Sequence, residues 1–140
     1  MNRRSWILIF LFLVFAGALV FLGSRPAAKS RQKIASGLQA AELGAQLAFM
    51  QNMYRERNGT FTADFSKLEE ETQEPLSCRP QGDSFSCYGY TYTLESGHWL
   101  VAESEQDSNV YIAFDLLQGG VDCSHASHEL KRTVFCSSLE

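Results

Sequence analysis

Residues 6–22 read WILIFLFLVFAGALVFL, with no charged side chain, and Arg3 and Arg4 stand directly before them. At about 1.5 Å per helical residue this run reaches roughly 25 Å, and with Ser5, Gly23 and Ser24 it approaches the roughly 30 Å hydrocarbon core of a bilayer. The pattern predicts a membrane-spanning helix, the form in which one isolated segment satisfies its backbone in lipid. A cleaved secretory signal would share the basic start but have a shorter apolar core and a small-residue cleavage site. The length of the run favours a retained anchor, residues 1–25 with their short basic N-terminus.

Beyond the anchor the period changes. Ile34, Leu38, Ala41, Ala45 and Ala48 fall at three- and four-residue steps, and Leu43, Leu47, Met50 and Tyr54 form a second row beside them. Lys29, Arg31, Gln32, Lys33, Gln39, Glu42, Gln46 and Glu56 occupy the remaining face, so an amphipathic helix is predicted over residues 26–58. Pro26 stands where it kinks a continuous helix or starts a second one, and one long helix with a bend is expected. Asn58-Gly59 closes it, because both residues tolerate the left-handed conformation of helix C-termini. Residues 59–84 read as a connecting loop with a short helix capped by Asp64, whose Phe61, Phe65 and Leu68 fold back onto the long helix.

Residues 85–94 (FSCYGYTYTL), 98–103 (HWLVAE) and 109–115 (NVYIAFD) then read as strands joined by short turns. A further short edge strand is expected near residues 132–135. The chain is thus expected to be α+β, with a long N-terminal helix packed on an antiparallel sheet of three to four strands. Residues 85–140 hold that sheet and a C-terminal loop bounded by cysteines.

Composition changes the picture in two ways. A formal net charge of −4 over 140 residues excludes a generally basic nucleic-acid binder, since the positive charge is local to Arg25, Lys29, Arg31 and Lys33 beside the anchor. By the positive-inside rule those four would place the C-terminal part in the cytoplasm. Cys78, Cys87, Cys123 and Cys136 argue the opposite, being an even set in a short chain with an export-type start, as in an oxidising compartment. A basic segment just outside the bilayer is also held by anionic headgroups, which makes membrane lipid a partner. The expected location is therefore the inner membrane, single-pass, with the C-terminal domain on the periplasmic or extracellular side.

The four cysteines allow three connectivities, and sequence proximity favours Cys78 with Cys87 and Cys123 with Cys136. Disulfides closing such short loops would contribute roughly 3 kcal/mol each on the chain-entropy model. That is comparable to the net stability of a small domain, so they read as structural.

A membrane helix that continues as an amphipathic helix, ends at Asn-Gly before an aromatic residue, and packs on a small antiparallel sheet resembles the type IV pilins and the pseudopilins of type II secretion. The most specific stretch is residues 54–68, YRERNGTFTADFSKL, where Tyr54, Asn58, Gly59, Phe61 and Leu68 look like the family's helix-exit motif. The spacing from Pro26 to Gly59 is similar to that between the family's kinking proline and this junction. Cys123 and Cys136 look like the pair that bounds a C-terminal loop in many pilins. The resemblance implies a structural or assembly subunit, with other pilin-like subunits or inner-membrane proteins of a pilus or secretion machine as partners. At the N-terminus, however, Arg4 stands where the family has its processed glycine and Ile9 where it has a glutamate. What remains is a pilin-like body on an unprocessed anchor. An anchored extracytoplasmic ligand-binding or sensing domain of pilin-like shape is the alternative.

Candidate chemistry is sparse. Asp122, Cys123, His125, His128 and Cys136 include zinc-ligand types, but their spacing matches no usual zinc pattern, and pairing of the cysteines would remove the thiolates. No Cys-x-x-Cys is present for redox work. Serines, histidines and acids occur in no motif that exposes a nucleophile, so neither catalysis nor a cofactor or metal is expected. Glu69, Glu70 and Glu71 read as a solvated face. Tyr88, Tyr90, Tyr92, Trp99 and Tyr111 read as strand aromatics, one row in the core and the other half-exposed, or as a ligand-recognising face. The small-residue row Gly37, Ala41, Gly44, Ala45 and Ala48 suits either lateral helix packing or a tight seat on the chain's own sheet.

Overall fold

The computed structural model describes residues 3–137, with side chains described for residues 31–133, Phe135 and Cys136. Helix α1 runs Arg3–Asn58, and the chain divides into two compact units, Met1–Lys33 and Ile34–Glu140. Among the described residues no helix is long and apolar enough to cross a membrane. The expected anchor at residues 6–22 and the expected kink at Pro26 lie outside the residues whose side chains are described.

In the second unit α1 lies on an antiparallel sheet, giving the α+β architecture that the pattern predicts. The sheet is a sequential meander of five strands in the order β1 (Phe85–Cys87), β2 (Tyr90–Glu95), β3 (Trp99–Ser104), β4 (Asp107–Asp115) and β5 (Val121–Asp122). Strand alternation turns Tyr90, Tyr92, Leu100, Ala102, Ile112 and Phe114 toward α1, where all are buried. From the helix come Ala40, Ala41, Leu43, Leu47 and Met50. A short helix, α2 (Phe65–Thr72), adds Phe65 and Leu68, and the rings of Phe65, Phe85 and Tyr92 follow one another at 5.9 and 5.6 Å.

The sheet has one or two strands more than the pattern predicts, and the extra one comes from a hidden turn. Residues 85–94 are not one strand. Tyr88 and Gly89 both have positive φ, 56° and 78°, the signature of a two-residue type I′ hairpin, so the chain reverses there and β1 pairs with β2. The expected edge strand near residues 132–135 is also absent. That stretch lies at two short helical turns, α3 (His128–Lys131) and α4 (Val134–Ser137). Ser127 caps α3 by accepting the Leu130 N–H at 3.2 Å, and Leu130 is buried, which holds the segment helical despite its β-branched residues. The edge strand is instead β5, paired to Ala113 and Phe114 of β4.

The buried side of α1 keeps Ala41 of the first apolar row and Leu43, Leu47 and Met50 of the second, and extends beyond them to positions with little apolar signal. Gly37, Ala40, Ala41, Gly44, Leu47 and Gln51 face the domain, whereas Ala45 is exposed and Phe49 is 62% exposed. Close approach sets this phase. A Cβ at Gly44 would lie 2.3 Å from two ring atoms of Phe114, and one at Gly37 would lie 3.7 Å from Leu130 and from the Tyr90 hydroxyl. The Tyr92 hydroxyl reaches the helix backbone itself, donating to the Ala40 carbonyl at 2.7 Å. Of the small-residue row, then, Gly37, Ala41 and Gly44 serve the chain's own domain, Ala48 is half-buried, and Ala45 faces solvent.

Candidate functional site

The exit of α1 brings together the residues that the sequence singles out there. Gly59 takes φ 81° and its N–H donates to the Arg55 carbonyl at 2.7 Å, while Asn58 Nδ2 donates to the Tyr54 carbonyl at 3.1 Å. The last turn is thereby closed on both its backbone and its side-chain side. Tyr54 and Phe61 are half-buried and pack on the core, and the Arg55 guanidinium lies 5.1 Å from the Phe61 ring centroid. Leu68 is fully buried on α2.

Sequence reasoning misses the residue that ties this junction together. Gln51 is fully buried; its Nε2 donates to the Thr62 carbonyl at 2.7 Å, and the Thr62 N–H donates to its Oε1 at 3.0 Å. This two-point clamp satisfies both backbone groups of Thr62 where the chain folds back against the helix. The signal was its phase, since Gln51 is in step with Gly44 and Leu47 on the buried stripe. From Thr62 the network continues. Thr62 Oγ1 accepts the Asp64 N–H at 3.1 Å, and Asp64 Oδ1 caps α2 by accepting from the N–H groups of Ser66 (3.0 Å) and Lys67 (3.3 Å). Arg57 donates to the Glu71 carbonyl, joining the last turns of the two helices.

The cysteines pair Cys78–Cys87 and Cys123–Cys136, with Cα atoms 5.7 and 6.0 Å apart. The first bridge fastens the connecting loop to β1, and the second closes the C-terminal turns. His125 stacks on Tyr111 with ring centroids 4.4 Å apart and planes 12° from parallel, and His128 is exposed. Asp122 accepts the Ser124 N–H at 2.8 Å. That hydrogen bond, then a second from the Ser124 side chain and the nearby His125 and Lys131, hold its carboxyl below the ordinary value. Among the described residues no group of three or more His, Cys, Asp or Glu is placed to hold a metal ion. Glu69 accepts the Leu76 N–H at 3.2 Å, whereas Glu70 and Glu71 are exposed.

The aromatic set divides by strand parity. Tyr90 and Tyr92 are buried under α1, and burial raises the pKa of both hydroxyls, with Glu129 adding to the effect on Tyr90 and the neighbouring tyrosines to that on Tyr92. Trp99 and Tyr111 stand half-buried on the opposite face, and Tyr88 is exposed at the β1–β2 turn. No protein-family model, curated protein or solved structure matches the chain.

Proposed function

We propose that the chain is a membrane-anchored, pilin-like structural or assembly subunit of a type IV pilus or type II secretion type of machine. Residues 6–22 span the inner membrane once, and the unit from Ile34 onward stands on the periplasmic or extracellular side. The observation that carries this reading is the exit of α1, where a helix seated on an antiparallel sheet ends at Asn58-Gly59 and returns through Phe61 to the buried Leu68. The bridge between Cys123 and Cys136, which bounds a C-terminal loop, adds to it.

The mechanism is association of helices. The anchor packs laterally with other membrane helices, the inner stripe of α1 is consumed by its own sheet, and exposed Phe49 with Ala45 is left for neighbouring subunits. A photo-crosslinking residue at position 49, irradiated in intact cells, is expected to trap other pilin-like subunits or inner-membrane pilus or secretion proteins. Recovery of the chain free of every such component rejects the role.

Arg4 and Ile9 favour a second reading, an anchored extracytoplasmic binding or sensing domain of pilin-like shape. Unreduced intact mass, measured separately on sheared surface filaments and on washed membranes, separates the two. A shortened, methylated chain in filaments means a true pilin. Full-length mass in membranes alone favours an accessory or binding role.

A further inference from the structure

The face of the sheet turned away from α1 is organised in rows across the strands. The pairing register sets Glu95 beside Trp99 and Trp99 beside Asp115. Two residues along, Thr93, Val101 and Ala113 stand side by side, with Asp122 next to Ala113 on β5. Two residues further come Thr91, Glu103 and Tyr111. A row of small residues therefore runs between two rows that each carry one aromatic ring and at least one carboxylate.

The result is a groove of about 380 Å³, floored by Val101 and Ala113 and walled by Trp99 and Tyr111. The walls stand about 13 Å apart along the strands, from four residues at about 3.3 Å each. Between them Val101 and Ala113 are only 8% and 7% exposed. Tyr111 is held in place from behind: His125 stacks on its ring, and its N–H donates to the His125 carbonyl at 3.1 Å.

The charge of the groove has one sign. Glu95, Glu103 and Asp122 line it, and no lysine or arginine does. Among the described residues the ion pair is Lys67 with Asp64, on α2 and its cap, and neither Glu95 nor Glu103 is paired with a described cation. An anionic lipid surface or a nucleic-acid backbone is repelled by such a face. A guanidinium suits it, because a planar cation stacks on aromatic faces and forks onto carboxylates in a way an ammonium does not.

We propose that this groove docks an arginine side chain presented by a partner protein, stacked against Trp99 or Tyr111 and paired with Glu103 and Glu95. This inference stands apart from the assembly role above, since it concerns the sheet's outer face and not the helix.

The test is calorimetric titration of the full-length chain in neutral detergent micelles with a short Gly/Ser peptide carrying paired arginines. Trp99 emission in a Trp6→Phe background gives a second readout. One-to-one binding is expected, weakened roughly tenfold by Glu103→Gln or Trp99→Ala and several-fold when lysines replace the arginines. Glu103 is exposed, so its variant is expected to melt like the parent and to report binding alone. Absence of binding, binding unchanged in both variants, or equal affinity for the lysine peptide or for spermidine would overturn the assignment.

Discussion

Replacing Gly44 by alanine tests how α1 is seated. In an exposed helix the change would stabilise by about 1 kcal/mol, because glycine is the poorer helix former. Here the added Cβ would lie 2.3 Å from both Cε2 and Cζ of Phe114 and 3.3 Å from Cδ2. Carbon contacts are comfortable only from about 3.5 Å, so the ring must move by roughly 1 Å. Phe114 is 2% exposed, so its ring moves against the packed core. Overpacking of this kind costs about 1–3 kcal/mol, and a displaced buried ring belongs at the upper end. Net of the propensity gain, Gly44→Ala is expected to destabilise by about 1–2 kcal/mol. For a domain of this size that lowers the melting temperature by roughly 5–15 °C. The assay is thermal unfolding of the full chain in micelles with the disulfides intact, followed by near-ultraviolet circular dichroism. Phe114→Leu in the same background should relieve part of the loss, so that the double variant is more stable than the two single losses added together. A Gly44→Ala protein that melts at or above the parent would refute the seat described here.

Two further outcomes follow from the buried polar contacts. Gln51→Leu strips the Thr62 N–H and C=O of their partners. A loss of about 2–5 kcal/mol is expected, with faster hydrogen exchange at the Thr62 amide, and unchanged exchange there would contradict the clamp. Tyr92 has its folded pKa raised above the ordinary 10.0 by burial. Its contribution is therefore complete below pH 10 and is lost as pH rises through that value toward the folded one, at up to about 1.4 kcal/mol per pH unit. Urea melts on the alkaline side should show a shallower decline for Tyr92→Phe than for the parent, and equal slopes would remove Tyr92 from the alkaline limb.

How much of this was legible in the sequence depends on which signals carry phase. The end of α1 at Asn58, the cap at Asp64 and the pairing of near neighbours among the cysteines could all be read, since each rests on local chemistry. The buried stripe of the helix was harder. Gly37, Ala40 and Gly44 give almost no hydrophobic signal, yet the sheet's rings require them small, while the apolar Ala45 and Phe49 face solvent. Tyr88 hid the first hairpin, because a tyrosine in a Tyr- and Thr-rich run reads as strand and only its positive φ reveals a turn. Residues 132–135 misled in the opposite direction, with strand-forming Thr133, Val134 and Phe135 at helical turns ordered by Ser127 and buried Leu130. At the junction, Tyr54, Phe61 and Leu68 were visible, but Gln51 was not. A polar residue in phase with a core stripe looks like noise until its partner is known. The outer groove needed pairing register, which no single strand contains.

The meander has a kinetic consequence. Every strand pairs with the one before it through a short turn, so the sheet can grow one hairpin at a time, with little loop-closure entropy at each step. Helix α1 has no such neighbour. Its contact from Ala40 to Tyr92 spans 52 residues, and its notch at Gly44 is filled only by β4, the fourth strand to be made. Synthesis runs from the N-terminus, so the inner stripe of the helix waits uncovered while most of the domain is still being added. That interval is when the chain is most exposed to misassembly, and docking of α1 is the step that ends it.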